Sequence, residues 1–108
     1  MSTSIRWETY DRYGNSVYLT QERWEHIISP ENHPEFTDYE QELQETIRQG
    51  IRKQDSVNPQ KYRYSKAFSN LPMDNTYIIA IVLYRYREEA GELKPNNYLV
   101  TAYQVEKY

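Results

Sequence analysis

The chain has no cysteine. A disulfide framework, a thiolate nucleophile and a Cys-ligated metal site are therefore excluded. Histidine is nearly as scarce, with only His26 and His33. Glycine is represented three times, and no GxGxxG, P-loop or GxSxG pattern occurs. Nucleotide-cofactor and serine-hydrolase chemistry thus have no support, and no cofactor is expected. Long apolar runs are missing too. The longest, Tyr77 to Tyr84, has eight residues, against the roughly 20 that cross a bilayer. The N-terminal stretch is polar and lacks the apolar segment of a signal peptide. A soluble cytoplasmic domain with no membrane partner is the expectation.

Charge and tyrosine are what the chain has. Twelve tyrosines contribute most of its 15% aromatic content, which argues against disorder. Its 108 residues suffice for a single domain, residues 1–108. The net charge of -3 is unlike a plain nucleic-acid binder. That average hides a segregation. Residues 1–47 carry three basic and ten acidic side chains, residues 48–87 carry eight and two, and residues 88–108 carry two and four. One continuous block is strongly basic, between acidic ends.

The hydropathy pattern changes period along the chain. Ile5, Trp7 and Tyr10 alternate loosely, Tyr13-Gly14-Asn15-Ser16 has turn chemistry, and Ser16 to Leu19 suits a short strand, so the pair can form a small hairpin. Thr20 suits an N-cap, followed by a helix placing Trp24, Ile27 and Ile28 on one face. Ser29-Pro30 ends it. Thr37 and Glu40 fit a capping box for a second helix with the stripe Tyr39, Leu43, Ile47 and a C-cap at Gly50. Residues 51–60 connect it to the strands.

From Lys61 the period is two. Tyr62, Tyr64, Lys66 and Phe68 share one strand face; Lys61, Arg63, Ser65 and Ala67 share the other. Thr76 to Arg87 is expected as a long strand, apolar on both faces at its centre and hence central in a sheet. Residues 88–97 connect it to a last strand, Tyr98 to Glu106. Helices first and antiparallel strands afterwards imply an α+β domain, with N-terminal helices packed on one face of a small antiparallel sheet.

Chemistry has few places to reside. His26 and His33 flank a helix end and could face one cleft, supplying a base and an acid near neutrality. The plainer alternative is a helix-surface residue and a loop residue. With Glu22, Glu25, Glu31 or Glu35 they could ligate zinc, but HExxH spacing is absent, and no metal site is expected. The basic block interleaves aromatics in Lys61-Tyr62-Arg63-Tyr64-Ser65-Lys66 and Tyr84-Arg85-Tyr86-Arg87. Lys61, Arg63, Arg85 and Arg87 could pair with phosphates, and Tyr64 could offer a stacking ring to an unpaired base. Equally, such a sheet could half-bury its tyrosines beneath a solvated charged face. In Val100-Thr101-Ala102-Tyr103, if Val100 and Ala102 face the core, Thr101 and Tyr103 point together the other way.

Five segments in this order carry a resemblance: Val17-Tyr18-Leu19-Thr20, Arg23-Trp24-Glu25-His26-Ile27, His33-Pro34-Glu35, a helix with Glu45-Thr46-Ile47, and Val100-Thr101-Ala102-Tyr103. Together they resemble the small phage and bacterial nuclease-like domains grouped with barnase, EndoU, the colicin tRNases and RelE. The resemblance runs from Val17 to the C-terminus. It implies helices followed by an antiparallel sheet framing an RNA cleft, and a metal-independent endoribonuclease, often a toxin with an antitoxin or immunity protein. The family's helix motif falls on Arg23 and His26, its loop motif on His33 and its last-strand motif on Thr101 and Tyr103.

Such chemistry removes a proton from a 2′-hydroxyl, stabilises a charged phosphorane and protonates the leaving oxygen. His26 or His33 could be base or acid, and Arg23, Arg63 or Lys66 could offset the charge. Thr101 and Tyr103 could hold phosphate oxygens or orient a histidine. The expected partner is RNA, either tRNA or mRNA. The alternatives are a non-catalytic RNA- or protein-binding domain of the same fold, or a partner that docks a basic surface on the acidic helix Asp38 to Glu45.

Overall fold

A computed structural model describes residues 4–106. The chain is α+β. A hairpin, β1 (Ile5–Tyr10) and β2 (Ser16–Thr20), comes first. Helix α1 (Gln21–Ile27), a 3-10 turn (Pro34–Asp38) and helix α2 (Glu40–Gln49) follow. Then come β3 (Ile51–Gln54), β4 (Lys61–Ala67), β5 (Tyr77–Leu83), a small hairpin of β6 (Tyr86–Glu89) and β7 (Glu92–Pro95), and β8 (Asn97–Val105). Among the described residues, no helix is long and apolar enough to cross a membrane.

The main sheet has six strands in the order β1-β2-β8-β5-β4-β3. It is mixed, because β2 and β8 run parallel, joined at Val17–Asn97 and Tyr18–Tyr98; the other neighbours are antiparallel. The expectation of helices followed by a purely antiparallel sheet is thereby corrected. The N-terminal hairpin precedes the helices and adds its strands to the same sheet. The connector 51–60 contains β3, whose polar sequence suits an edge strand rather than a buried one.

Both helices lie on one face of the sheet. α1 packs on β1, β2 and β8, and α2 on β1, β4 and β5. Between the layers Trp24, Ile27, Phe36, Leu43 and Ile47 meet Val17, Leu19, Tyr64, Ile78, Ala80, Val82, Leu99 and Ala102. The opposite face has no helical cover among the described residues. Ile79 and Ile81 of β5 point that way yet stay buried, flanked in register by Ser65 and Tyr103, and by Arg63 and Thr101.

Thr20 caps α1 as its sequence implies, its hydroxyl accepting from the Arg23 amide at 3.1 Å. The Thr37–Glu40 capping box does not form. Pro34 opens a 3-10 turn that absorbs Thr37, and α2 begins after Tyr39. Glu40 instead accepts from Arg6 Nε at 2.5 Å and from the Trp7 indole at 2.9 Å, fastening α2 to β1. Arg6 holds the Glu40 carboxyl below its ordinary range despite partial burial.

Candidate nucleic-acid interface on the open face of the sheet

The uncovered face is built by strand alternation and one bulge. On β4, Lys61, Arg63 and Ser65 pair with Leu83, Ile81 and Ile79, all outside the helix-side core. Lys53 of β3 extends the row beside Arg63. On β8 the register slips by one residue, because Ile81 pairs with Thr101 but Val82 with Leu99. The extra residue, Val100, is a bulge. The condition that Val100 and Ala102 both face the core is met only by Ala102: Leu99 and Ala102 are buried there, and Val100 is not. Thr101 and Tyr103 point outward together, as expected.

These strands frame a shallow depression of about 450 Å³, with Lys61, Arg63, Thr101 and Tyr103 around a floor of Ile81 and Leu83. A recess of about 170 Å³, lined by Tyr18, Tyr98 and Arg23, flanks the same β8 strand. The Tyr18 and Tyr98 rings are 6.0 Å apart and tilted by 41°. Tyr18 is fixed by its hydroxyl, which donates to Asn96 Oδ1 at 2.9 Å. Arg23 reaches the recess from the first turn of α1, where Thr20 caps the helix and ends β2.

The structure divides the sequence-predicted residues. Lys61, Arg63, Thr101 and Tyr103 come together, and Arg23 lies at the recess on their flank. His26 is exposed on α1, one turn after Arg23 and on the same side of the helix. His33 belongs to the helical layer, its ring edge-on to buried Phe36 and its Nδ1 3.4 Å from Glu35. Lys66 faces the helices, 3.1 Å from Glu45 and over the Phe68 ring. Lys66 and Thr101 therefore sit on opposite faces of one sheet, and a single cleft holding both histidines, Lys66 and Thr101 does not exist. Tyr64 is fully buried and cannot stack on a base. β5 ends at Leu83, so Arg85 and Arg87 leave the sheet; Arg87 is on β6, 3.3 Å from Glu89.

Sequence reasoning missed a polar cluster on the helix side. The Asp11 carboxylate accepts from Tyr64, from Tyr84 at 3.1 Å and from the Asn15 amide at 2.7 Å. Arg52 donates to the Tyr84 hydroxyl at 3.0 Å and lies over the rings of Tyr13 and Tyr62. Burial and the bond to Asp11 push the Tyr64 phenol far up. A turn-opening aspartate before Tyr-Gly-Asn was the available signal, since Asp binds the amides ahead of it. Its partners, far away in sequence, left none.

The chain matches no family model, no curated protein and no solved structure.

Proposed function

We propose that the open sheet face binds single-stranded RNA. One observation carries this: Lys61 and Arg63 share a depression with Tyr103 and Thr101 on the broad face that the helices leave free. Cations offset phosphate charge, and a tyrosine ring stacks on an unpaired base of any sequence. Tyr18 and Tyr98 continue the aromatic surface toward Arg23. From β3 to β2 the face crosses four strand intervals of about 4.8 Å, roughly 19 Å in all, room for a few extended nucleotides. The overall acidity is no obstacle, because eight of the sixteen acidic side chains lie in the helical segment 21–49, while Glu8, paired with Tyr18, is at the β1 margin of the open face.

Cleavage is a second reading, favoured by the placement of Arg23 and His26 one turn apart at the margin of this face. Arg23 would stabilise the phosphorane, and His26 would take the 2′-hydroxyl proton and return it to the 5′-oxygen as the bond to phosphorus breaks, without Lys66 or His33. Fluorescence anisotropy with a labelled single-stranded RNA, beside a cleavage gel in EDTA, tests both. Salt-dependent binding lost in Arg63→Ala supports the interface; no binding at low salt overturns it. Products that vanish in His26→Ala, with binding kept, would establish cleavage, and loss of a general acid or base costs about 10²- to 10⁴-fold.

A further inference from the structure

The β6–β7 hairpin is a sheet of its own, and every residue of its two strands is exposed. A two-stranded hairpin standing alone in water is only marginally stable. This one is closed by Ala90 at φ +53° and Gly91 at φ +80°. Positive φ at both central residues is the geometry of the tight turn whose twist matches its strands, so root and tip are held in register.

The register places like charges face to face. Arg87 is opposite Lys94 near the root, and Glu89 is opposite Glu92 at the tip. Like charges directly across a strand pair are unfavourable. Period-two alternation puts all four side chains on one face. The ion pairs run along each strand instead, Arg87 to Glu89 at 3.3 Å and Lys94 to Glu92 at 3.1 Å. The face is therefore divided, with two cations at one end and two anions at the other.

A face so divided is complementary to itself when turned through a half-rotation. We infer that the charged face of the β6–β7 arm docks on the same face of a second copy of this chain, antiparallel, root against tip. A two-fold axis through the middle of the face sets Arg87 and Lys94 of each copy against Glu89 and Glu92 of the other. This is the isologous arrangement that closes at a dimer. Parallel docking would oppose like charges at both ends. The patch is small, so the dimer is weak and salt-sensitive. The inference does not rest on RNA binding, because Lys61, Arg63 and Tyr103 lie outside the arm; at its root Arg87 lines a small pocket with Glu8 and Tyr18.

Sedimentation equilibrium of the full chain, without RNA, tests it. At low salt the weight-average mass should climb with concentration from the monomer's 13.1 kDa toward twice that, and added salt should reverse the rise. Glu89→Lys with Glu92→Lys makes the face wholly cationic; Arg87→Glu with Lys94→Glu makes it wholly anionic. Each variant alone should stay monomeric, and an equimolar mixture should recover a one-to-one dimer. A third variant, with β6–β7 replaced by a short Gly-Ser turn, should be monomeric while keeping the near-UV dichroism of the core. A wild type that never associates overturns the inference. A mixture that stays monomeric also overturns it. So does any of the three variants dimerising like the wild type, which would put the interface elsewhere.

Discussion

Tyr64, in the middle of β4, donates its hydroxyl to Asp11, fifty-three residues earlier in the turn between β1 and β2. β1 is at one edge of the sheet, and β4 is next to the other edge. The bond therefore fastens the tip of the N-terminal hairpin across the helix side of the sheet. Tyr84 and Arg52 extend the fastening, and Tyr13 from the same turn accepts the Arg52 amide at 3.4 Å. Removing the Tyr64 hydroxyl leaves a buried carboxylate one donor short while the ring still fills the core. Tyr64→Phe should cost about 1.5–3 kcal/mol, the range for a hydrogen bond to a charged group. Urea unfolding followed by tryptophan fluorescence measures it, and an unchanged midpoint would refute the role.

Acid should weaken the same fastening. Burial alone would raise the Asp11 pKa, but the Tyr64 hydroxyl and the amides of Asn15 and Tyr13 outweigh it and hold the carboxyl below its ordinary value. Glu40 is held low chiefly by its bond to Arg6. A carboxyl with a depressed folded pKa contributes stability that is complete above its unfolded value, about 4, and lost as pH falls through the folded value. Urea midpoints should hold steady down to about pH 5 and decline below it. Asp11→Asn should be less stable at neutral pH and show a shallower decline. A variant as acid-sensitive as the wild type would count against Asp11.

Much of this architecture was legible in local chemistry. The Thr20 cap, the stripe Leu43–Ile47 and the alternation of β4 each depend on neighbours within a few residues, and each came out as expected. What was illegible depended on distant partners. Glu40 looks like half of a capping box until Arg6 and Trp7 arrive from β1. Tyr64 looks like a stacking platform until the helices bury its ring and Asp11 takes its hydroxyl. The continuous apolar-then-charged run 76–87 reads as one strand, and only pairing shows that β5 stops at Leu83. As for the site, strand parity correctly joined Lys61 to Arg63 and Thr101 to Tyr103. Parity could not tell which of Lys66 and Lys61 shares a face with Thr101, because the Val100 bulge resets the count on β8.

Gly50 illustrates a requirement of space rather than of backbone angle. Its φ of -71° is open to any residue. A Cβ there would collide with the Thr46 carbonyl oxygen and come within 2.7 Å of the Ser65 carbonyl oxygen. Both obstacles are backbone, so neither can rotate away. Gly50→Ala should destabilise by about 1–3 kcal/mol, the usual cost of overpacking, although alanine is the better residue in an unstrained setting. Thermal unfolding by circular dichroism is the check; a neutral or raised midpoint would show that α2 and β4 separate freely at this point.

The two faces of β4 make the sharpest comparison for the RNA interface. Lys61 and Lys66 are on one strand, five residues apart and both partly buried, yet they point to opposite sides of the sheet. If phosphates are bound on the open face, Lys61→Ala should weaken binding of a single-stranded RNA and lower the salt slope by about 0.7, the share of one phosphate no longer neutralised. Lys66→Ala removes the same charge from the same strand and should leave affinity and slope unchanged, losing instead the pair with Glu45 and the contact over the Phe68 ring. Tyr103→Ala should weaken binding by about 1–3 kcal/mol with the slope kept, because stacking releases no counterions. Salt titrations of anisotropy for the three variants measure this. Equal losses for Lys61→Ala and Lys66→Ala would mean that the chain attracts RNA by its general field, and the open face would lose its assignment.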